Sequence, residues 1–217
     1  DMKIAAVRVL GMLGDGSVVS ILLKAAVSDD EALAITARDS LAVLGGDDVD
    51  NQLANRLKNS DGPERLVLVD VVGRRGINHV IPLLLKYVSS DDPELRNSAI
   101  DGLGMTVGLK DFPQLVDKML AMGSSPSAKP MKEALRKASQ RMGDRDAASK
   151  VLLNRTTDAS AAAKIELMDL LIYVGGKQAL AGAQAAARGD DESSADAATR
   201  ALGRWLTPDA APVLLEL

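Results

Sequence analysis

Ser90-Asp91-Asp92-Pro93-Glu94-Leu95-Arg96-Asn97-Ser98-Ala99-Ile100-Asp101-Gly102-Leu103-Gly104 is the stretch on which the fold turns. It opens on residues that cap a helix and puts proline and an acid in the first turn, where a missing N–H and a negative charge are both accommodated. It closes on a large apolar residue followed by glycine. Moving outward, the closing pair recurs as Leu10-Gly11, Leu41-Ala42 and Val72-Gly73, each 31 residues before the next. Beyond Leu103 the phase slips, and the pair returns as Ala138-Ser139, Leu171-Ile172 and Leu202-Gly203. The opening recurs too, as Ser28-Asp29-Asp30-Glu31, Asp61-Gly62-Pro63-Glu64 and Gly189-Asp190-Asp191-Glu192. A fixed period of this length signifies one supersecondary unit copied in a row, each copy burying its apolar face on its neighbours.

Each copy reads as two helices. The first halves, ending in the pair, span 4–13, 31–44, 64–75, 94–107, 131–142, 161–174 and 194–206. The second halves span 18–27, 49–57, 77–88, 112–122, 147–154, 178–188 and 210 onward. Ile77, Val80, Ile81, Leu84, Leu85 and Val88 lie on one face of a 3.6-residue helix, and no stretch alternates with period two over a strand's length. Gly14, Gly45, Gly76, Gly143 and Gly175 follow helix ends and are expected in the left-handed conformation. Pro82, Pro113 and Pro212, each ten residues after a Leu-type anchor, are expected in first turns or at bends. The position one after the anchor (Gly11, Gly73, Gly104, Ser139, Gly203) and the position four before it (Ala6, Ala37, Ala99, Ala134, Ala198) are mostly small, which lets helix backbones approach closely. The expectation is an all-α array of six to seven helix pairs over 1–217, about fourteen helices without a sheet.

Composition narrows the functional classes. Only four aromatics occur in 217 residues, so Ala, Leu and Val must fill the core, which suits close-packed helices. Net charge is −4, which argues against general nucleic-acid binding. Without cysteine there are no disulfides, zinc thiolates or thiol nucleophiles. No apolar run reaches the roughly 18–20 residues that span a bilayer. The compartment stays open, cytoplasmic or exported. The sequence opens directly in a helical pattern and stops at Leu217 inside Pro212-Val213-Leu214-Leu215. Solenoids keep polar terminal caps, so a fragment of a longer chain is expected, with Ile4, Val7, Leu214 and Leu215 exposed or covered by flanking domains or another chain.

The stretches 90–104, Ala5–Asp15 (AAVRVLGMLGD) and Ala197–Trp205 (AATRALGRW) resemble HEAT repeats, more closely the short HEAT-like repeats of phycobilisome lyases. The resemblance spans essentially the whole chain. It implies a right-handed α-α superhelix and a family composed mostly of scaffolds and binding modules. Residues 205–212 also resemble repeat arrays within large multidomain bacterial proteins, some exported. Some HEAT-like proteins are iron hydroxylases with His-Glu pairs on successive helices; with His79 as the one histidine, this chain is not of that kind.

No residue is nominated as catalytic, cofactor-binding or metal-binding. His79 opens a helix and reads as a surface or cap residue. Gly102-Leu103-Gly104 follows a helix rather than a strand, with the wrong spacing for a dinucleotide loop. Asp47-Asp48-Val49-Asp50 lacks the glycine and distal Glu of a calcium loop and reads as an acidic helix start. Asn154-Arg155-Thr156 fits a glycosylation sequon too short to carry weight.

One periodic feature points to binding. Two residues before each anchor stand Arg8, Asp39, Asp70, Asp101, Arg136, Asp169 and Arg200, all charged. Equivalent positions in stacked copies form a column, in HEAT-type arrays on the concave side, with Asp39, Asp70 and Asp101 an acidic stripe. The alternative is a solvated face with local pairs such as Asp70–Arg74. Charge is also segregated: residues 129–155 carry eight bases, among them Lys129, Lys132, Arg136 and Arg141, against three acids. The expected function is a non-catalytic protein-binding or scaffold segment. One alternative is an enzyme subunit of the chromophore-lyase kind, with a pocket around Tyr173, Arg204 and Trp205. A second is nucleic-acid binding through 129–155, disfavoured because no aromatics are present there to stack bases.

Overall fold

A computed structural model describes residues 2–123 and 125–216. Fourteen α-helices and no strand occur among the described residues. Two compact units divide the chain, Asp1–Thr106 and Val107–Leu217. The division falls where the 31-residue phase slips. The first unit holds α1 (Met2–Leu13), α2 (Val19–Ala26), α3 (Glu31–Val43), α4 (Val49–Asn59), α5 (Gly62–Arg75), α6 (Ile81–Tyr87) and α7 (Pro93–Thr106). The second holds α8 (Phe112–Met122), α9 (Ala128–Gln140), α10 (Arg145–Leu153), α11 (Ala161–Val174), α12 (Gly176–Ala187), α13 (Glu192–Leu202) and α14 (Ala211–Leu215).

The packing order follows the repeat. In the first unit α1, α3, α5 and α7 pack successively on one another, while α2, α4 and α6 pack against α3, α5 and α7. In the second, α9, α11 and α13 form the same kind of row, with α10 against α11 and α12 against α13. The anchors Leu41, Val72, Leu103, Ala138, Leu171 and Leu202 are buried, as are Ala37, Leu68, Ala99, Ala134, Leu167 and Ala198 four residues before them. The small residues after the anchors set the spacing. A Cβ added to Gly73 would stand 2.5 Å from Gly102 Cα, and one on Gly11 would collide with Ser40. Ser40 Oγ in turn donates to Val7 O at 3.1 Å, so α1 and α3 are joined by a buried hydrogen bond at their closest approach.

Helix ends obey the punctuation. Asp30 accepts from Leu33 N, Asp92 from Glu94 N and Asp191 from Ser194 N, three capping aspartates at equivalent places. Pro82, Pro113 and Pro212 all stand in first turns. Gly76 is left-handed (φ 68°, ψ 36°) and closes α5, with Gly76 N donating to Gly73 O and Ile77 N to Val72 O. The expectation fails at Gly14, Gly45 and Gly143, which have no positive φ, and Gly175 combines positive φ with extended ψ. At the second of these the chain turns one residue later, at Gly46. Val7 is buried and Ile4 half-buried, contrary to their expected exposure, whereas Leu214 and Leu215 are exposed. Leu217 lies outside the described residues. Among those described, no helix is long and apolar enough to cross a membrane.

Candidate protein-binding faces

The charged column is built by the helix period. Residues two before the anchors turn away from the buried stripe: Arg8, Asp39, Asp101 and Arg200 are exposed, and Asp70, Arg136 and Asp169 half-buried. In the first unit the acids do not form a bare stripe. Arg74 donates to Asp39 Oδ1 at 2.7 Å and sits 3.7 Å from Asp70, bridging α3 and α5. Burial raises the Asp70 carboxyl above its ordinary value, with Arg74 and then Arg38 opposing.

Arg74 lies two residues after its anchor and reaches back to the residue two before the preceding one. The second unit repeats the rule. Arg204 pairs with Asp169, and the Arg136 guanidinium sits 5.3 Å over the Tyr173 ring. These cross-copy contacts join residues 35 to 37 apart, one repeat plus four residues. Reading the column alone misses them.

Four residues to either side of the column lies a second feature that attention to charge passes over. Ile35 and Val43 flank Asp39 along α3, and Met12 follows Arg8 along α1; they are 50%, 69% and 72% exposed. At i±4 they share the column's face. The first unit thus presents exposed large apolar side chains interleaved with Arg8 and Asp39.

In the second unit the same positions line a groove of about 420 Å³ between α9 and α11. Its walls are Lys129, Lys132, Glu133 and Arg136 on one side and Glu166, Asp169, Leu170 and Tyr173 on the other. Lys132 pairs with Glu166, and Arg136 Nε donates to Glu133 at 2.8 Å. The groove gathers Lys129, Lys132, Arg136 and Asp169 from the expected set. Arg200 stands outside that lining, paired with Asp196 at 2.9 Å, and Arg141 donates to Val107 O at 3.3 Å. Trp205 packs on Ala183, Leu202, Ala210 and Val213, whereas Tyr173 lines the groove between α9 and α11.

The bases of 129–155 are likewise dispersed. Arg155 crosses to Asp117 at 2.5 Å, and Arg145 lies along Gly175 and Gly176. His79 is exposed in a short 3-10 turn, Asn78–Val80. Among the described residues no three of His, Cys, Asp and Glu come together as metal ligands.

No protein-family model matches the chain, and no curated protein sequence is similar enough to pair with it. Among solved structures it is similar to human deoxyhypusine hydroxylase in complex with glycerol, at 15% identity, over 95% of this chain and 91% of that one, with a TM-score of 0.38.

Proposed function

We propose that the chain is a non-catalytic protein-binding segment of the HEAT-like kind, and that its working surface in the first unit is the face bearing Met12, Ile35, Asp39 and Val43. The supporting observation is the exposure of three large apolar side chains on the same face as the charged column. Exposed apolar groups rimmed by charge are the usual composition of a protein contact, with the apolar centre supplying affinity and the charges orientation. The fitting partner is a protein segment with apolar side chains beside a basic residue that meets Asp39. The groove holding Lys129, Arg136 and Tyr173 is a second, more polar place for the same kind of contact.

The test is capture of partners from the source organism by the unmodified chain and by Ile35→Ser with Val43→Ser. Loss of specific partners on the double substitution, with helix content unchanged by circular dichroism, supports the reading. Equal recovery by both proteins removes this face from the function. A Lys129→Glu variant run alongside reports on the groove independently.

A further inference from the structure

The groove between α9 and α11 owes its room to the sequence. Where α5 meets α7 the backbones close on Gly73 and Gly102. The equivalent positions of α9 and α11, one after and one before their anchors, hold Ser139 and Leu170. Side chains on both helices at this level keep the two backbones from closing in the same way, and Leu170 lines the space that is left.

That space continues past Glu166. Lys132 and Glu166 also line a second, smaller recess of about 140 Å³, walled by Met119 and Leu120 of α8 and by Ala162 and Ala163 of α11. Groove and recess share one stripe of α11. Ala162, Ala163, Glu166, Asp169, Leu170 and Tyr173 stand at i, i+1, i+4, i+7, i+8 and i+11. At 1.5 Å per residue the stripe is about 17 Å long, the reach of about five residues of extended chain. The recess at its start is mostly apolar and has room for a leucine-sized side chain, since an apolar cavity of roughly 150 Å³ takes a benzene-sized group. The ion pair of Lys132 with Glu166 stands at the junction of the two.

Charge says what should accompany that side chain. Glu166 is matched by Lys132, Glu133 by Arg136 and Asp169 by Arg204. Lys129 lines the groove, is exposed, and has no ion-pair partner among the described residues. It lies one helical turn before Lys132, which borders the recess. The groove thus carries one unmatched positive charge a turn away from an apolar hole.

We infer that this groove binds an extended protein segment in which a leucine-sized aliphatic side chain enters the recess and a carboxylate one or two residues away meets Lys129. The inference rests on the reading of the chain as a protein-binding segment and gives that reading a ligand chemistry in the second unit. The incoming carboxylate gains a partner without breaking any of the three ion pairs already present, and the aliphatic group supplies the buried apolar contact.

The probe is a random heptapeptide library displayed on phage and selected against the unmodified chain, the enriched peptide then being labelled with fluorescein and titrated by fluorescence polarisation. Enriched peptides should place a leucine-sized aliphatic residue within two positions of Asp or Glu. Lys129→Glu puts an acid in the first turn of α9, which the helix tolerates. It should weaken the selected peptide at least about fivefold, and selection on this variant should return Lys or Arg in place of the acid. Ala162→Met fills the recess from an exposed position of α11. It should weaken the peptide comparably, after which alanine in place of the peptide's aliphatic residue should cost nothing more. Peptides that carry a base instead of an acid, or whose affinity ignores either variant, overturn the inference. A library that yields no specific peptide overturns it too, whatever the capture experiment shows for the first-unit face. Peptides lost with Ile35→Ser and Val43→Ser but kept by both groove variants overturn this site and leave that face standing. Dimers of the unmodified chain in sedimentation velocity that Lys129→Glu abolishes would make a second copy the occupant, which also overturns it.

Discussion

Asp70 and Asp191 are pushed in opposite directions by their surroundings. At Asp191 the Lys164 ammonium, 2.5 Å away, then Ser194 and Ser193 hold the carboxyl well below the usual carboxylate range. A depressed folded pKa contributes stability that is complete above the unfolded value of about 4 and is lost as pH falls through the folded one. Asp191→Asn should therefore melt at a lower temperature than the unmodified chain at pH 7, and the gap should close below about pH 4. A gap independent of pH would place the effect in helix capping alone. At Asp70 burial comes first and raises the carboxyl, so its charge is a cost above the folded pKa that vanishes below the unfolded one. Asp70→Asn should leave the urea midpoint at pH 7 unchanged or higher, because Arg74 keeps Asp39 as its partner. A large loss would show that the Asp70–Arg74 pair outweighs burial.

Helix existence was written in the sequence wherever punctuation was chemical rather than compositional. Phe112–Met122 and Ala161–Val174 have the bounds read from the sequence, with Pro113 in the first turn of one and Gly175 as the stop of the other; the structure adds Ser160 as a cap. Glycine alone misled, since a helix can stop at Gly45 without entering the left-handed region. Gly76→Ala should cost about 1–2 kcal/mol from its positive φ, whereas Gly45→Ala, in open space without positive φ, should gain about 0.4–1 kcal/mol through the unfolded chain. Denaturant midpoints of the two variants moving together would refute that distinction. The face of Met12, Ile35 and Val43 was equally legible at i±4 from the column; attention to charge concealed it. The offset joining Arg74 to Asp39 was not, because spacing gives the period of a stack but not the slide of one helix along the next.

Across the whole chain, stability is assembled from contacts between neighbouring copies, and each helix row has its own closest approaches. Gly73 against Gly102 brings backbone against backbone in the first unit, so any side chain at Gly73 must force the two helices apart. Gly73→Val should cost about 1–3 kcal/mol by overpacking. Lys164, on α11 and held by Asp191 and Ser193 at the start of α13, is the corresponding weak point of the second unit, since its loss strands the charge network at Asp191. The two sites share no partner, so the destabilisation of Gly73→Val combined with Lys164→Ala should equal the sum of the single effects within about 0.5 kcal/mol. Repeat architectures also confine the damage, because each copy is held mainly by its neighbours. Amide exchange in Gly73→Val should therefore accelerate most in α5 and α7 and least in α11 and α13. Uniform acceleration over all fourteen helices would mean that the chain opens only as one cooperative body, and that the division after Thr106 has no energetic counterpart.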